Sequence, residues 1–152
     1  MAQPKDLQTA RALLAVMPLV GRLAVMKARE MGTVSPERGK ALGRLAAGPL
    51  RVGELAQQCM LTPPATTELV ESLVRDGLVR REDDPTDRRA VNVSLTPTGR
   101  REVERYQTAF ATALGEAIAR LEPLQRERLR LALDDLRYAL EGAATKEMTN
   151  VR

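Results

Sequence analysis

Residues 62–99 have the sequence TPPATTELVESLVRDGLVRREDDPTDRRAVNVSLTPTG, which predicts a helix, a tight turn and two strands joined by a charged loop. Thr62 suits a helix N-cap, and two prolines follow it in the first turn, where backbone donors have no partner inside the helix. Leu69, Val70 and Leu73 recur at helical spacing and predict one apolar face. The helix is expected to end at Gly77, because glycine adopts the left-handed C-cap conformation without strain.

The second half of this stretch predicts a two-stranded hairpin. Residues 78–82 read as the first strand, and residues 83–87 contain three Asp and a Pro, which are typical turn residues. Residues 90–95 alternate and place three apolar side chains on one face: Val91, Val93 and Leu95. Arg88 and Arg89 then lie near the hairpin tip, and a helix followed by such a hairpin is the pattern of a winged helix.

A second short helix is predicted immediately before Thr62. Residues 52–59, VGELAQQC, place Leu55 and Ala56 inward, and residues 60–61 form the turn into the next helix. Two short helices with a tight turn between them constitute a helix-turn-helix. Residues 50–52 are expected to add a minor third strand beside the hairpin.

These elements closely resemble the MarR family of bacterial transcription regulators. The resemblance rests on residues spread through the predicted recognition helix and the wing: Leu73, Gly77, Leu78, Val79, Arg81, Asp84, Pro85, Asp87, Arg88, Arg89, Leu95, Thr96 and Gly99. The preceding and following helices match the family in number and order, so the resemblance spans nearly the whole chain. It implies a mainly α fold with a small β-hairpin, that is, a winged helix-turn-helix with long N- and C-terminal dimerisation helices.

The resemblance also implies how DNA would be contacted. The recognition helix, residues 62–72, would enter the major groove, where small polar side chains can reach base edges. Asp87 would orient the wing loop, and Arg89 would enter the adjacent minor groove, whose negative potential favours an inserted arginine. The candidate DNA-binding residues are Thr62, Pro64, Ala65, Thr67, Glu68, Ser72, Asp87, Arg88 and Arg89.

Three positions depart from the family pattern. Glu68 and Ser72 fall where members often carry basic residues, and Thr66 falls where an apolar residue is common. Glu68 could accept a hydrogen bond from a cytosine amino group, or it could repel phosphates. The operator sequence therefore stays open.

The whole chain, 1–152, is interpreted as a single domain. Its apolar periodicity predicts long helices in residues 5–31 and 100–142. The resemblance implies that these are dimerisation helices on either side of a DNA-binding region at 35–99. Pro18 is expected to kink or divide the first long helix. The last helix is expected to span 124–140 and to be followed by a frayed tail.

The composition argues against an enzyme and against a metal sensor. The 152 residues contain no histidine and one cysteine, and no glycine-rich phosphate loop is present, so neither a catalytic base nor a zinc site is supplied. No cofactor is expected. Cys59 has no second thiol to pair with, and a small buried hydrophobe is preferred over a redox sensor. A lone cysteine fits a reducing cytoplasm.

Net charge leaves the partner question open. The chain carries a formal charge of +4, but residues 62–101 contain seven basic and seven acidic side chains. The partners that the resemblance implies are double-stranded DNA with a pseudo-palindromic operator, a second copy of the chain, and a small lipophilic effector held between the dimer helices and the winged region. Arg22, Lys27 and Arg44 could meet an anionic effector there.

No apolar run was expected to approach the roughly 20 residues of a membrane span. Repression is preferred over activation by analogy with the family. The alternative is a winged-helix protein-interaction or ligand-binding module with weak or no DNA binding.

Overall fold

A computed structural model describes residues 3–83 and 91–149, and this part of the chain forms six helices and three strands. By contacts the chain divides into two compact units, residues 1–114 and 115–152. The elements are α1 (Pro4–Glu30), α2 (Pro36–Leu45), β1 (Leu50–Arg51), α3 (Val52–Cys59), α4 (Pro63–Arg75), β2 (Val79–Asp83), β3 (Val91–Leu95), α5 (Pro97–Ile118) and α6 (Pro123–Thr149).

Helices α3 and α4 form the predicted helix-turn-helix. The C-cap of α3 is Met60, whose φ of 57° lies in the left-handed region, and its N–H closes the helix end. The Thr62 hydroxyl then caps α4 by accepting from the Ala65 N–H at 3.4 Å. The helix ends where predicted, since Asp76 is its C-cap and Gly77 follows with a φ of 68°.

The strands form one antiparallel sheet in the order β1-β3-β2, and β1 is the predicted minor strand. Leu50 pairs with Val93, and the β2–β3 ladder runs from Val79 opposite Leu95 to Asp83 opposite Val91. Of the three apolar side chains predicted to share one face of β3, Val93 and Leu95 are buried. Val91 is 41% exposed, because it lies at the end of the ladder farthest from the core.

The core of residues 1–114 is built from aliphatic side chains. Leu42 and Leu45 of α2, Leu55 of α3 and Leu73 of α4 are among its largest fully buried members. They join Val70, Val79, Val93, Leu95, Val103 and Cys59 in one cluster. Among the described residues the core cluster contains no aromatic side chain, and the whole chain has only three.

Hydrogen bonds connect the start of α5 to the start of the hairpin. Thr96 donates its N–H to the Leu78 carbonyl at 3.1 Å, and its hydroxyl lies 2.6 Å from the Gly77 carbonyl. The Gly99 N–H donates to the same hydroxyl at 3.0 Å. A Cβ on Gly99 would lie 1.9 Å from the Leu78 carbonyl oxygen. Thr96 and Gly99 therefore join the start of α5 to the segment that follows α4.

Helix α1 is one continuous helix with Pro18 inside it, so Pro18 does not divide it, and a kink at Pro18 stays a prediction. A proline removes only one backbone donor, and the helix continues around it. Contrary to expectation, α1 could cross a membrane as judged by length and composition only. It is the one such helix within residues 3–83 and 91–149. Most of its large apolar side chains are exposed, and only Ala24 and Ala28 are buried.

Helix α6 extends beyond its predicted end and reaches Thr149. The residues after Leu140 include Gly142, which costs only about 1 kcal/mol in a helix, and no proline follows it. The expectation of a frayed tail from residue 143 is therefore wrong for residues 143–149.

Candidate nucleic-acid interface

The recognition helix α4 has a buried face and an exposed face. Thr66, Val70 and Leu73 are buried in the core or against it. The predicted contact residues Thr62, Pro64, Thr67 and Glu68 are all exposed, and the structure brings them together on the N-terminal half of the helix. Ala65 and Ser72, also predicted, are only half-buried and lie at the edges of this surface.

Side chains, rather than backbone amides, are available at the start of α4. Prolines occupy positions 63 and 64 and have no N–H to donate. The Ala65 N–H is taken by the Thr62 hydroxyl, and the Thr66 N–H by the Thr62 carbonyl. A phosphate group therefore finds fewer free donors here than at an ordinary helix N-terminus. The Thr67 hydroxyl donates its proton to the Pro63 carbonyl at 3.0 Å, so that its oxygen remains available as an acceptor.

Two exposed residues of α4 were missed from the sequence. Glu71 and Arg75 continue the face of Pro64, Thr67 and Glu68 at helical spacing, and this spacing could have revealed them. Within the described parts of the chain, neither Glu68 nor Glu71 has a hydrogen bond or an ion pair. The exposed face of α4 therefore carries two unpaired carboxylates, followed toward the C-terminus by the guanidinium of Arg75.

The strands of the wing present further basic side chains. Arg80 and Arg81 of β2 are exposed, and the Arg80 guanidinium contacts the Glu82 carboxylate. Sequence reasoning had not selected either arginine. The predicted wing residues Asp87, Arg88 and Arg89 lie between β2 and β3 in the sequence, outside the described residues.

Helix α2 contacts the ends of both helices of the helix-turn-helix. The Arg38 guanidinium lies 2.5 Å from the Asp76 carboxylate at the end of α4. The Arg38 Nε is buried and has no hydrogen-bond partner within the described residues. The Lys40 ammonium donates to the Cys59 carbonyl, the last of α3, at 3.0 Å. These links hold α3 and α4 in a fixed relation to α2.

Comparison with known proteins agrees with this architecture. Residues 34–90 match the sequence profile of the MarR family. The HTH-type transcriptional regulator ML2140 of Mycobacterium leprae is 33% identical over 120 residues, which cover 74% of this chain and 84% of the relative. The chain belongs to the MarR family. It is therefore a transcription regulator with a DNA-binding winged-helix fold, and the expectation that it is not an enzyme is confirmed.

Solved structures show the same fold for this MarR-family chain. The transcriptional regulator Tm0710 of Thermotoga maritima superimposes with a TM-score of 0.77 at 24% identity, over 91% of this chain and 97% of that one. A mutant of MepR from Staphylococcus aureus, bound to an oligodeoxyribonucleotide, gives a TM-score of 0.63 at 23% identity, over 87% and 97% of the two chains. The mainly α fold with a small antiparallel sheet is confirmed.

The single cysteine of the MarR-family chain is enclosed by its neighbours. Cys59 is 4% exposed, and burial raises the pKa of its thiol, although the positive charges of Lys40 and Arg44 act in the opposite direction. A protonated, buried thiol is a poor nucleophile. This geometry agrees with the predicted role of Cys59 as a small buried hydrophobe.

An open cleft of about 350 Å³ lies between α2 and α5. Two aromatic rings, Tyr106 and Phe110, form part of its wall with centroids 4.7 Å apart. The Tyr106 ring packs directly on the backbone of Gly39, where a Cβ would lie 2.5 Å from the ring. Burial raises the pKa of Tyr106, and the negative charge of Glu37 adds to this rise. The cleft is lined by Gly39, Lys40, Gly43, Arg44, Tyr106, Gln107 and Phe110.

Of the three basic residues expected to meet an anion, the structure places only Arg44 at this cleft. Arg22 is exposed on α1, and the Lys27 ammonium lies 3.2 Å from the Glu30 carboxylate. Lys40, which sequence reasoning did not select, lines the cleft beside Arg44. The cleft therefore combines an aromatic wall with two cationic side chains.

Proposed function

We propose that this protein is a dimeric, sequence-specific repressor that occupies a promoter and is released by a small effector. The observation that carries the proposal is the exposed N-terminal half of α4, where Pro64, Thr67 and Glu68 face solvent while Val70 and Leu73 fix the helix in the core. A helix held by one face and free on the other suits insertion into a major groove about 12 Å wide.

DNA would be contacted by the recognition helix and the wing together. In this proposal the α4 surface reads base edges, and the segment Asp87–Arg89 reaches the neighbouring minor groove. Arg80 and Arg81 on β2 supply further positive charge toward phosphates. In a two-fold symmetric dimer, two half-sites would lie about one helical turn apart on a pseudo-palindromic operator.

Exposed apolar side chains on the terminal helices support dimerisation. On α1 the side chains of Leu14, Met17 and Met26 are at least 58% exposed, and on α6 Leu124 and Leu140 are similarly exposed. An apolar surface of this extent is costly in water and marks an interface. Sedimentation should show a dimer at micromolar concentration, and a stable folded monomer would contradict the proposal.

The effector is proposed to be a lipophilic small molecule rather than a metal. The aromatic wall and the cations Lys40 and Arg44 of the α2–α5 cleft support an organic anion. Among the described residues, no group of three His, Cys, Asp or Glu side chains could hold a metal ion. Chelation should leave DNA binding unchanged, and a loss of binding that a transition metal restores would refute this part.

The alternative function is a winged-helix module that binds a protein or a ligand instead of DNA. Its support is the outward face of α4, which carries the two carboxylates Glu68 and Glu71 ahead of Arg75. Carboxylates facing phosphates are repulsive unless each meets a base amino group. The cytoplasm is the proposed compartment for either function, on the ground of the single cysteine.

Affinity measurements on two duplexes distinguish these functions. Wild type, Arg89→Ala and Glu68→Gln are titrated against the upstream region of the protein's own gene and a scrambled duplex, at two salt concentrations. Arg89→Ala should weaken binding to both duplexes and reduce the salt slope by about one phosphate equivalent.

Glu68→Gln should behave differently if Glu68 reads a base. It should change the preferred base at one position per half-site, worth about 1–3 kcal/mol. If Glu68 only repels phosphates, the same change should tighten binding to both duplexes alike. Equal, salt-insensitive binding by all three proteins, or no binding at all, would favour the interaction module.

A further inference from the structure

Helix α5 binds the connection between α1 and α2 through two side chains that lie one turn apart. The Glu102 carboxylate accepts a hydrogen bond from the Val34 N–H at 3.0 Å. The other oxygen of this carboxylate lies 2.9 Å from the Arg105 guanidinium. Arg105 in turn donates to the Met31 and Gly32 carbonyls, at 3.1 and 3.3 Å. The Glu102–Arg105 pair therefore engages one backbone donor and two backbone acceptors of the connection.

The two side chains of the pair differ in exposure. The Glu102 side chain is 12% exposed, whereas that of Arg105 is 52% exposed. A carboxylate with little water around it is stabilised by the donors that it meets, and a hydrogen bond to a charged acceptor is stronger than one between neutral groups. Glu102 is therefore the residue that holds the Val34 N–H, and Arg105 holds Glu102 in place.

The Val34 N–H lies at the point where the chain leaves α1 for α2. Before it, Gly32 has a φ of 62°, and both the N–H and the hydroxyl of Thr33 contact the Ala28 carbonyl of α1, at 2.9 and 3.2 Å. After it, Ser35 is the N-cap of α2. The hydrogen bond to Glu102 therefore acts between the last residue bonded to α1 and the first residue of the α2 cap.

Helix α2 transmits its orientation to the helix-turn-helix. Leu42 and Leu45 are buried in one cluster with side chains of α3 and α4. The Arg38 guanidinium also contacts the Asp76 carboxylate at the end of α4. Because a close-packed core resists internal shifts, α2, α3 and α4 move together. An orientation that is fixed at Val34 is therefore fixed for the recognition helix as well.

The preceding turn of α5 binds the other end of the recognition helix. Thr96 donates its N–H to the Leu78 carbonyl, and Gly99 lies against the same carbonyl. Glu102 follows Gly99 at a spacing of three residues, on a neighbouring part of the helix surface. The first turns of α5 thus contact both the segment after α4 and the connection after α1. A rotation of the winged region relative to α1 would have to break one of these two contacts.

We propose that Glu102 and Arg105 are positioning residues, which set the orientation of the winged region relative to α1 and thereby the half-site spacing that the protein accepts. In a two-fold dimer held by α1, rotating each winged region changes the distance between the two recognition helices. One added base pair moves a half-site by about 3.4 Å and rotates it by about 35°, so a fixed orientation selects one spacing. This inference rests on the proposed function for the dimer and the DNA, but the orientation is a property of the single chain.

Four variants test the pair. Glu102→Met removes the carboxylate at nearly unchanged length, and Arg105→Met removes the guanidinium at a half-exposed position, where folding tolerates the change. Glu102→Gln keeps an oxygen that can accept from the Val34 N–H. Glu104→Met is the matched control, because it makes the same change of charge at an exposed position of α5, on another side of the helix from Glu102.

Double electron–electron resonance measures the orientation in the free, full-length protein. Nitroxide labels are attached at Arg22→Cys in α1 and Arg75→Cys in α4, in a Cys59→Ala background. Labelled protein is diluted with unlabelled protein, so that each measured distance lies within one chain.

The unchanged pair and the Glu104→Met control should give one narrow distance distribution. Glu102→Met and Arg105→Met should broaden it at least about twofold, since a hinge is released, and Glu102→Gln should restore most of the narrow width. Equal widths for Arg105→Met and Glu104→Met would overturn the proposal, even if Glu102→Met does not fold.

Binding to duplexes of different spacing measures the consequence. The two half-sites footprinted in the upstream region of the protein's own gene are rebuilt with one base pair removed or added between them. Wild type should prefer the natural spacing about tenfold or more, and Glu102→Met and Arg105→Met about threefold or less. A merely destabilised protein would lose affinity for all spacings alike. An unchanged spacing preference in both variants would refute the positioning role.

Failure of this inference and failure of the proposed function give different results. If no duplex is bound, the proposed function fails, and the distance distributions still decide whether the Glu102–Arg105 pair sets the orientation of the winged region. If DNA is bound but every variant keeps the narrow distribution and the spacing preference of wild type, the proposed function holds and the inference is wrong.

Discussion

Replacing Gly99 by alanine should destabilise the protein strongly, although Gly99 lies inside helix α5. A Cβ at this position would lie 1.9 Å from the Leu78 carbonyl oxygen and 3.0 Å from its carbon. Ordinary contact begins at 3.4 Å, so α5 and the segment after α4 must separate by about 1.5 Å. Both contacting atoms are backbone, and no side-chain rotation can relieve the clash.

The magnitude follows from what this separation breaks. The Leu78 carbonyl accepts from the Thr96 N–H and lies 3.1 Å from the Thr96 hydroxyl. Loss of about two hydrogen bonds near 1 kcal/mol each, with about 1–3 kcal/mol of overpacking, outweighs a gain of about 1 kcal/mol from replacing a helical glycine. The net loss is about 2–4 kcal/mol, a large part of the roughly 5–15 kcal/mol that stabilise a typical domain.

Urea unfolding followed by circular dichroism, at fixed protein concentration, measures this loss. Gly53→Ala in α3 is the matched control, because a Cβ there meets nothing within 4 Å. The control should be stabilised by about 0.5–1 kcal/mol, since alanine loses less backbone entropy than glycine on folding. If Gly99→Ala is as stable as Gly53→Ala, the contact between α5 and Leu78 does not have the geometry described.

Three further predictions concern the polar contacts around the helix-turn-helix. Thr96→Val should cost about 1–2 kcal/mol in urea unfolding, because it removes a hydroxyl that both donates and accepts. A double-mutant cycle on Arg38 and Asp76, whose side chains are 23% and 49% exposed, should give at most about 1 kcal/mol of coupling. Stability should fall at alkaline pH as the ordinary pKa values of Cys59 and Tyr106 are passed, since burial raises both and the unfolded chain loses these protons first. Urea titrations of Cys59→Ala with Tyr106→Phe should show a weaker alkaline decline, and an unchanged decline would contradict this assignment.

Local helix start and stop signals explain why the helix-turn-helix could be predicted residue by residue. The bounds of α3 and the cap of α4 follow from Thr62, the two prolines and the Asp76-Gly77 stop, all of which act through neighbouring backbone. Helix α2 has a signal of the same kind, since Ser35 is its N-cap and Pro36 begins its first turn. Signals that operate within one turn of chain are visible in a single sequence.

Contacts between distant residues could not be predicted. The Glu102 carboxylate accepts from the Val34 N–H, and the Arg105 guanidinium contacts the Met31 carbonyl, so α5 closes the connection between α1 and α2. Nothing in the local sequence marks these pairs, which are 68 and 74 residues apart. The exposure of Val91 could not be predicted for a related reason, because alternation of apolar residues identifies a face of the strand and not the point where the core ends.

The position of α2 restricts how a ligand in the cleft can act on DNA binding. Ala41, Leu42 and Leu45 of α2 are buried in the same core as α3 and α4, and a close-packed core resists shifts of the backbone. A small molecule outside this core is therefore more effective by exchanging a polar partner than by displacing a helix. The hydrogen bond between the Lys40 ammonium and the Cys59 carbonyl is a polar contact of this kind, and it lies outside the apolar core. In the proposed function the buried Leu42 and Leu45 would keep the fold intact while a polar contact at the helix-turn-helix changes, so that DNA is released without unfolding of the regulator.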